Sequence, residues 1–242
     1  MGHGKSILTR TAQAGFREFA ARLADALLPS SCLLCGSPCC GAPLCPGCLA
    51  DLPPLAARHC PLCLEATTHG ERCGACLARP PHFDQVHALY RYAFPLDHLI
   101  SDLKYHARFA LAKHWGRQLA GLTPPPDRII PLPLHPTRLA ERGYNQAQEI
   151  ARHLARSLER PLDPDSLEKS RATRPQAELS HKERQGNLKG AFACTRDMGG
   201  LHLLLVDDVL TTGATLDEAA RVLKLHGAAR VEVAVVARTP RH

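Results

Sequence analysis

The sequence predicts an α/β fold built on a doubly wound parallel sheet, with a small cysteine-rich module ahead of it. Three observations carry that prediction. From Val86 to Ala237 short apolar runs alternate with segments of helical periodicity, the order a parallel sheet needs for its crossovers. One run, Leu203-Leu204-Leu205-Val206, has no polar position and suits a strand covered on both faces. Ten of the eleven cysteines lie between Cys32 and Cys76, where large apolar residues are few.

Taken in chain order, residues 1–29 carry Phe16, Phe19, Ala20, Leu23 and Leu27 at helical spacing, an amphipathic helix closed by Pro29. Residues 30–80 form the cysteine module. Pro80-Pro81 ends it, and a second domain is expected over 86–242. Within that domain Val86–Tyr92 reads as a strand, and Leu96–His106 and Ala107–Leu122 as helices. Pro124-Pro125-Pro126 is a stiff break. Ile129–Leu134 reads as a buried strand, Gln146–Leu158 as a helix, and 160–190 as a polar irregular stretch suited to a closing loop. A strand Leu201–Asp207, a helix from about Leu216 to His226 and a strand Ala229–Ala237 complete the pattern.

The module holds four Cys-x-x-Cys pairs: Cys32/Cys35, Cys45/Cys48, Cys60/Cys63 and Cys73/Cys76. Two-residue spacing lets both sulfurs of a turn reach one ion, and two pairs complete a tetrahedral thiolate site. Eight thiolates therefore suit two zinc ions, paired either consecutively or alternately. Closed all-thiolate sites are structural, so no catalysis is expected here. A region this poor in apolar residues needs such a staple. Cys39 and Cys40 are extra thiols, and Cys194 reads as a small core residue.

Leu203 to Thr215 hold the chemistry. Asp207 and Asp208 stand at the carboxyl end of the buried run, where ligands of open parallel sheets bind. Thr211, Thr212, Gly213, Ala214 and Thr215 then lead into a helix, whose N-terminus offers free N–H groups and a positive dipole end to a phosphate. The two aspartates repel that phosphate and suit a sugar diol beside it, because carboxylates only accept hydrogen bonds. Arg138 and Arg142, with Gly143, follow the strand at Ile129 and suit a pyrophosphate. The stretch from Ser170 to Gly190 sets five basic residues, among them Arg171 and Arg184, against two acidic ones.

Formal charge is +7, in keeping with a polyanionic ligand from a phosphosugar to nucleic acid. No apolar run reaches the roughly 18–20 residues of a membrane span. Arg17, Glu18, Arg22 and Asp25 interrupt any secretory apolar region, and cysteine pairs of this kind suit a reducing compartment, so a cytoplasmic protein is expected.

The Leu203–Thr215 segment resembles the signature of the type I phosphoribosyltransferases. The resemblance implies that Thr211–Thr215 hold the 5-phosphate of 5-phosphoribosyl-1-pyrophosphate and that Asp207 and Asp208, the catalytic pair, hold the ribose hydroxyls. The order of further motifs narrows the resemblance. The four cysteine pairs precede Leu103-Lys104-Tyr105, Arg142-Gly143-Tyr144-Asn145-Gln146, and Arg171-x-Thr173-x-x-Gln176-x-x-Leu179 with Arg184 and Asn187. In that order they resemble the ComF family, a double zinc ribbon joined to a phosphoribosyltransferase-like domain. Tyr144 departs from the family's more usual phenylalanine. The resemblance implies two structural zinc ions and Mg²⁺ carried with the phosphosugar. It implies anion contacts from Lys104, Arg138, Arg142, Arg171 and Arg184, and for some members a cytoplasmic role in natural transformation with single-stranded DNA and a helicase partner. Three functions stay open on the residues: phosphoribosyl transfer to an unknown acceptor, single-stranded DNA handling, and sensing of the phosphosugar without turnover.

Overall fold

The computed structural model describes residues 30–39, 41–170 and 190–240. The helix expected over residues 13–28, Cys40, and the 171–189 stretch with Arg171 and Arg184 lie outside the described residues. The chain divides into two compact units, Met1–Asp51 and Leu52–His242.

In the first unit β1 (Ser30–Ser31) pairs antiparallel with β2 (Pro38–Cys39), and α1 (Pro46–Ala50) follows. Cys32 opens a tight turn whose N–H bonds the Ser37 carbonyl at 2.8 Å. Cys45 caps α1, its sulfur accepting from the Cys48 N–H at 3.4 Å.

The second unit opens on a similar knuckle ending in α2 (Gly74–Ala78), with Cys73 at its N-cap. Then come β3 (Gln85–Arg91), α3 (Leu96–Tyr105), α4 (Phe109–Ala120), β4 (Arg128–Pro131), α5 (Pro136–Arg142), α6 (Gln146–Leu158), β5 (Leu167–Lys169), β6 (Phe192–Cys194), β7 (His202–Leu210), α7 (Ala214–Leu225) and β8 (Arg230–Arg238). The main sheet runs β3-β8-β7-β4 and is parallel throughout.

Leu203–Val206 of β7 and Val233–Ala237 of β8 are apolar on both sides, which only a sheet covered on both faces tolerates. On one face Leu203, Leu205, Val231, Val233 and Val235 pack with Leu216, Ala219, Ala220 and Leu223 of α7 and with Leu167 and Phe192 of the small hairpin. Leu204, Val206, Ala234 and Val236 are buried at the alternate positions, and α4 and α6 cover the sheet from that side. This is the expected doubly wound arrangement.

The α4–α6 contact is close because Gly116 has no side chain. A Cβ there would stand 2.8 Å from the His153 Cβ and 2.8 Å from the Ile150 carbonyl oxygen.

Three elements differ from the sequence reading. β7 runs on to Leu210, so both aspartates lie within it, because β8 keeps pairing as far as Leu210 with Arg238. The strand at Ile129 is shorter than expected and stops at Pro131, and the residues after it form α5, a helix the sequence reading did not mark. The 160–190 region contains β5, which pairs antiparallel with β6.

Candidate functional site

Beyond Val206, β7 has lost its β4 neighbour, whose register ends at Pro131 opposite Val206. Asp207 and Asp208 therefore stand at an open edge of the sheet's carboxyl end. The two residues take alternate strand positions, yet their carboxyls stay within hydrogen-bond reach of one another. Asp208, on the α6 side, is buried, forms an ion pair with Lys104 Nζ at 2.5 Å and accepts from Gln146 Nε2 at 3.3 Å. Lys104 comes from the last turn of α3. Asp207 is half-buried and lies within electrostatic reach of Lys169 at the end of β5, which in turn feels exposed Arg138.

The two carboxyls are shifted in opposite directions. Burial and the charge of Asp208 hold Asp207 well above the usual carboxylate range. Burial also acts to raise Asp208, but Lys104, with hydrogen bonds from Asp207 and Gln146, outweighs it and holds the carboxyl low. Desolvation works against the Lys104 ammonium, yet Asp208 and Asp207 leave it raised. Lys169 is lowered by burial and by Arg138, with Asp207 opposing. An acidic pair flanked by two lysines can accept hydrogen bonds from a diol while cations stand ready for neighbouring oxyanions.

Thr211, Thr212 and Gly213 link β7 to α7. Gly213 caps the helix with φ +83°, a left-handed conformation that a side chain would strain. The Ala214 N–H bonds the Thr212 hydroxyl at 3.4 Å. Ala214 and Thr215 form the first turn of α7, where backbone N–H groups lack intrahelical acceptors and the dipole favours an anion.

The Arg142–Gln146 run is held by contacts of its own. Gly143 closes α5 in the left-handed conformation, with its N–H on the Leu139 carbonyl at 2.8 Å. The Tyr144 hydroxyl donates to the Leu103 carbonyl and accepts from the Ala107 N–H, which gives the hydroxyl absent from phenylalanine a partner on each side. Asn145 caps α6 and donates to the Leu132 carbonyl at 3.0 Å. Arg142 donates to Gln146 Oε1 at 2.5 Å and lies over the Tyr105 ring, 5.3 Å from its centroid. The run thus ties the end of α3, the exit of β4 and the start of α6 to Asp208.

Sequence reasoning named the aspartates, the threonine loop and Lys104 but missed Gln146 as an Asp208 ligand and Lys169 as the cation on the Asp207 side. Gln146 stood inside a motif already singled out. Lys169 had no local signal, because the hairpin that carries it pairs across the segment 170–190. Where that segment re-enters, the Gly190 N–H bonds Glu218 Oε1 on α7 at 3.0 Å, and Arg221 holds the Glu218 carboxyl low.

The cysteines resolve into consecutive groups, Cys32/Cys35/Cys45/Cys48 and Cys60/Cys63/Cys73/Cys76, each with its sulfurs within 4.8 Å of one another. Cys35 and Cys45 sulfurs are 3.7 Å apart, and Cys63 and Cys73 sulfurs 3.6 Å. A tetrahedral site with Zn–S near 2.3 Å puts sulfurs about 3.8 Å apart, whereas a disulfide needs about 2.0 Å. Burial raises the Cys32 thiol, but N–H groups of Cys45, Cys35 and Leu34 outweigh it and bring it to about 6. N–H groups of Cys73, Cys63 and Leu62 likewise bring Cys60 to about 7 against its burial. Each group could hold a zinc ion. Cys39 is buried and Cys194 half-buried, and neither belongs to these groups.

Residues 140–242 match the Phosphoribosyl transferase domain family. Over 191 residues the chain is 38% identical to the DNA utilization protein YhgH of Escherichia coli K12, a span of 74% of this chain and 84% of that protein. It is 33% identical over 208 residues to Competence protein F of Haemophilus influenzae, covering 81% and 90%. Competence protein ComFC of Bacillus subtilis is 26% identical over 199 residues, covering 77% and 80%. Fold and motifs define a phosphoribosyltransferase-type α/β domain accompanied by zinc-ribbon-like cysteine groups. The chain belongs to the ComF family.

Proposed function

We propose that this protein binds 5-phosphoribosyl-1-pyrophosphate or a related phosphosugar at the carboxyl end of β7, in the cytoplasm, as part of the handling of DNA during uptake and competence. One observation carries the reading: an Asp207–Asp208 pair, charge-balanced by Lys104, stands near the end of β7, before a threonine–glycine loop that opens the 12-residue helix α7. The aspartates accept from the ribose hydroxyls, and Thr211 to Thr215 receive the 5-phosphate with backbone N–H and hydroxyl groups. Lys104, Lys169 and Arg138 favour the pyrophosphate by charge, with Arg171 and Arg184 as further anion contacts. Arg142 is engaged by Gln146 and Tyr105, so its part is to hold Gln146 against Asp208. Mg²⁺ arriving with the phosphosugar supplies charge neutralisation at the leaving group. Two zinc ions, one per cysteine group, give the ribbons their structure. The names of the relatives, DNA utilization and competence proteins, support the pathway.

Phosphorus NMR of the phosphosugar with Mg²⁺ tests this. Wild-type protein broadens the 5-phosphate resonance and Asp207→Asn/Asp208→Asn does not. Release of free pyrophosphate with a nucleobase or amine present identifies an enzyme, and broadening without release identifies a sensor. Unbroadened resonances with folded wild-type protein overturn the proposal.

A second reading, single-stranded nucleic acid binding, is favoured by exposed aromatics contiguous with this site. Tyr105 is 69% exposed beneath Arg142, and Phe109, 42% exposed, meets Tyr144 edge-on. Bases stack on such rings. Salt-dependent binding of single-stranded DNA that Tyr105→Ala/Phe109→Ala abolishes supports it, as a partner helicase binding the same strand would extend it. Undetectable binding at low salt removes it.

A further inference from the structure

We infer that Arg238 couples the second four-cysteine site to the phosphate loop, so that metal held by Cys60, Cys63, Cys73 and Cys76 sets the geometry with which Thr211 to Thr215 receive an anion. Arg238 ends β8 opposite Leu210 and is 2% exposed. Its guanidinium reaches in two directions. Towards the cysteine group, Nε donates to the carbonyl of Cys63 at 2.8 Å and Nη2 pairs with Glu65 Oε2 at 2.8 Å. Towards the loop, Nη1 donates to the carbonyls of Thr211 at 2.7 Å and Leu210 at 3.3 Å, and to that of Thr239.

Arginine does not lose its proton, and its five N–H groups are fixed in one plane, so moving one set of acceptors moves the other. Cys63 is itself a member of the sulfur group, and its carbonyl is a few bonds from the sulfur that a metal would fix. Leu64, between Cys63 and Glu65, packs on the domain core. On the loop side, Gly213 turns back onto Leu210, with its Cβ position 3.5 Å from Leu210 Cδ1 and 4.0 Å from the Phe83 ring. Displacing the Leu210 and Thr211 carbonyls therefore disturbs the turn that starts α7.

Metal loss removes the staple that a ribbon of this size needs. Cys63 O and Glu65 then leave a buried guanidinium with part of its acceptor shell, which is costly until the chain around it relaxes. Arg238 is a positioning residue, because it acts on the loop without contacting the ligand. The consequence is a phosphosugar site whose competence depends on zinc loading and on the thiol state of the ribbon. The loop's role as that site rests on the function proposed above; the coupling itself does not.

The test is hydrogen exchange of the amides from Leu210 to Leu216, read against Leu203 to Val206 as a folding control, together with zinc content and calorimetric affinity for 5-phosphoribosyl-1-pyrophosphate with Mg²⁺. The full chain is compared with Arg238→Met, Cys73→Ser/Cys76→Ser and Glu65→Ala. In Arg238→Met the loop amides exchange faster and affinity falls about tenfold, the scale of one lost charge-assisted hydrogen bond, while zinc content stays at the wild-type value. Cys73→Ser/Cys76→Ser loosens the same amides and lowers zinc content, and Glu65→Ala, which loses one ion pair, gives a smaller change in the same direction. Wild-type loop exchange in every variant that keeps core protection overturns the coupling. Loosened loop amides in a protein whose wild type does not bind the phosphosugar uphold the coupling and reject the proposed ligand.

Discussion

Asp207 and Asp208 are chemically identical and adjacent, and their surroundings move their acidities in opposite directions. Asp208 faces Lys104 and Gln146; Asp207 faces the hairpin side, with burial and its neighbour's charge both opposing ionisation. Their substitutions should therefore have opposite signs. A carboxyl raised in the folded state binds its proton more tightly there than in the unfolded chain, so its contribution to stability declines as pH climbs from the unfolded value through the folded one. Asp207→Asn removes that decline, and the variant should melt above wild type by about 2–4 °C for a relief of ~1 kcal/mol, the gap widening with pH. Asp208 is the reverse case, lowered in the fold and stabilising above its unfolded value. Asp208→Asn strands the Lys104 ammonium, and should lower Tm by about 4–8 °C for a loss of ~2 kcal/mol. Calorimetric melting of both variants between acid and neutral pH checks the signs, and equal shifts in one direction would refute the opposed acidities. The aspartates were legible in the sequence because they follow an apolar run without polar interruption. Their partners were less so: Gln146 and Lys169 reach them from elements far away in sequence, and no local pattern marks such a meeting.

Elements of helical length were read nearly to their ends, because α6 repeats its apolar positions Ala147, Ile150, Ala151, Leu154 and Ala155 at the helical period. Short ones were not. α5 has seven residues and starts on Pro136, so the stretch reads equally as a turn, and the three-residue strands β5 and β6 exist only by pairing with one another. The length of β7 was set by its neighbour: β8 stays in register to Arg238 and carries the strand past both carboxylates. Helix packing was equally hidden. Gly116 lies in α4 where a glycine is normally a cost, and it is kept by the approach of α6. Gly116→Ala should gain helix propensity and still destabilise the protein by about 1–3 kcal/mol, since both near atoms on Ile150 and Leu154 are backbone. Urea unfolding checks this, and a stabilised variant would contradict the close α4–α6 contact.

At the scale of the whole molecule, the four cysteine pairs forecast two metal sites. What composition left open was their pairing, which the structure gives as consecutive. One group lies in each of the two compact units. Elemental analysis should give two zinc ions per chain, and strong chelation should open the cysteine segments to protease while the main sheet resists longer. Unchanged cleavage after complete metal removal would contradict a stapling role. Among the described residues no helix is long and apolar enough to cross a membrane. The central claim is that the carboxyl end of β7 is a phosphosugar site. Calorimetric titration of the zinc-loaded chain with 5-phosphoribosyl-1-pyrophosphate and Mg²⁺, beside Asp207→Asn/Asp208→Asn, tests it most directly. Saturable binding to the wild type that the double substitution abolishes is the predicted result; no heat from a folded, zinc-loaded wild type, or equal binding by both proteins, would contradict it.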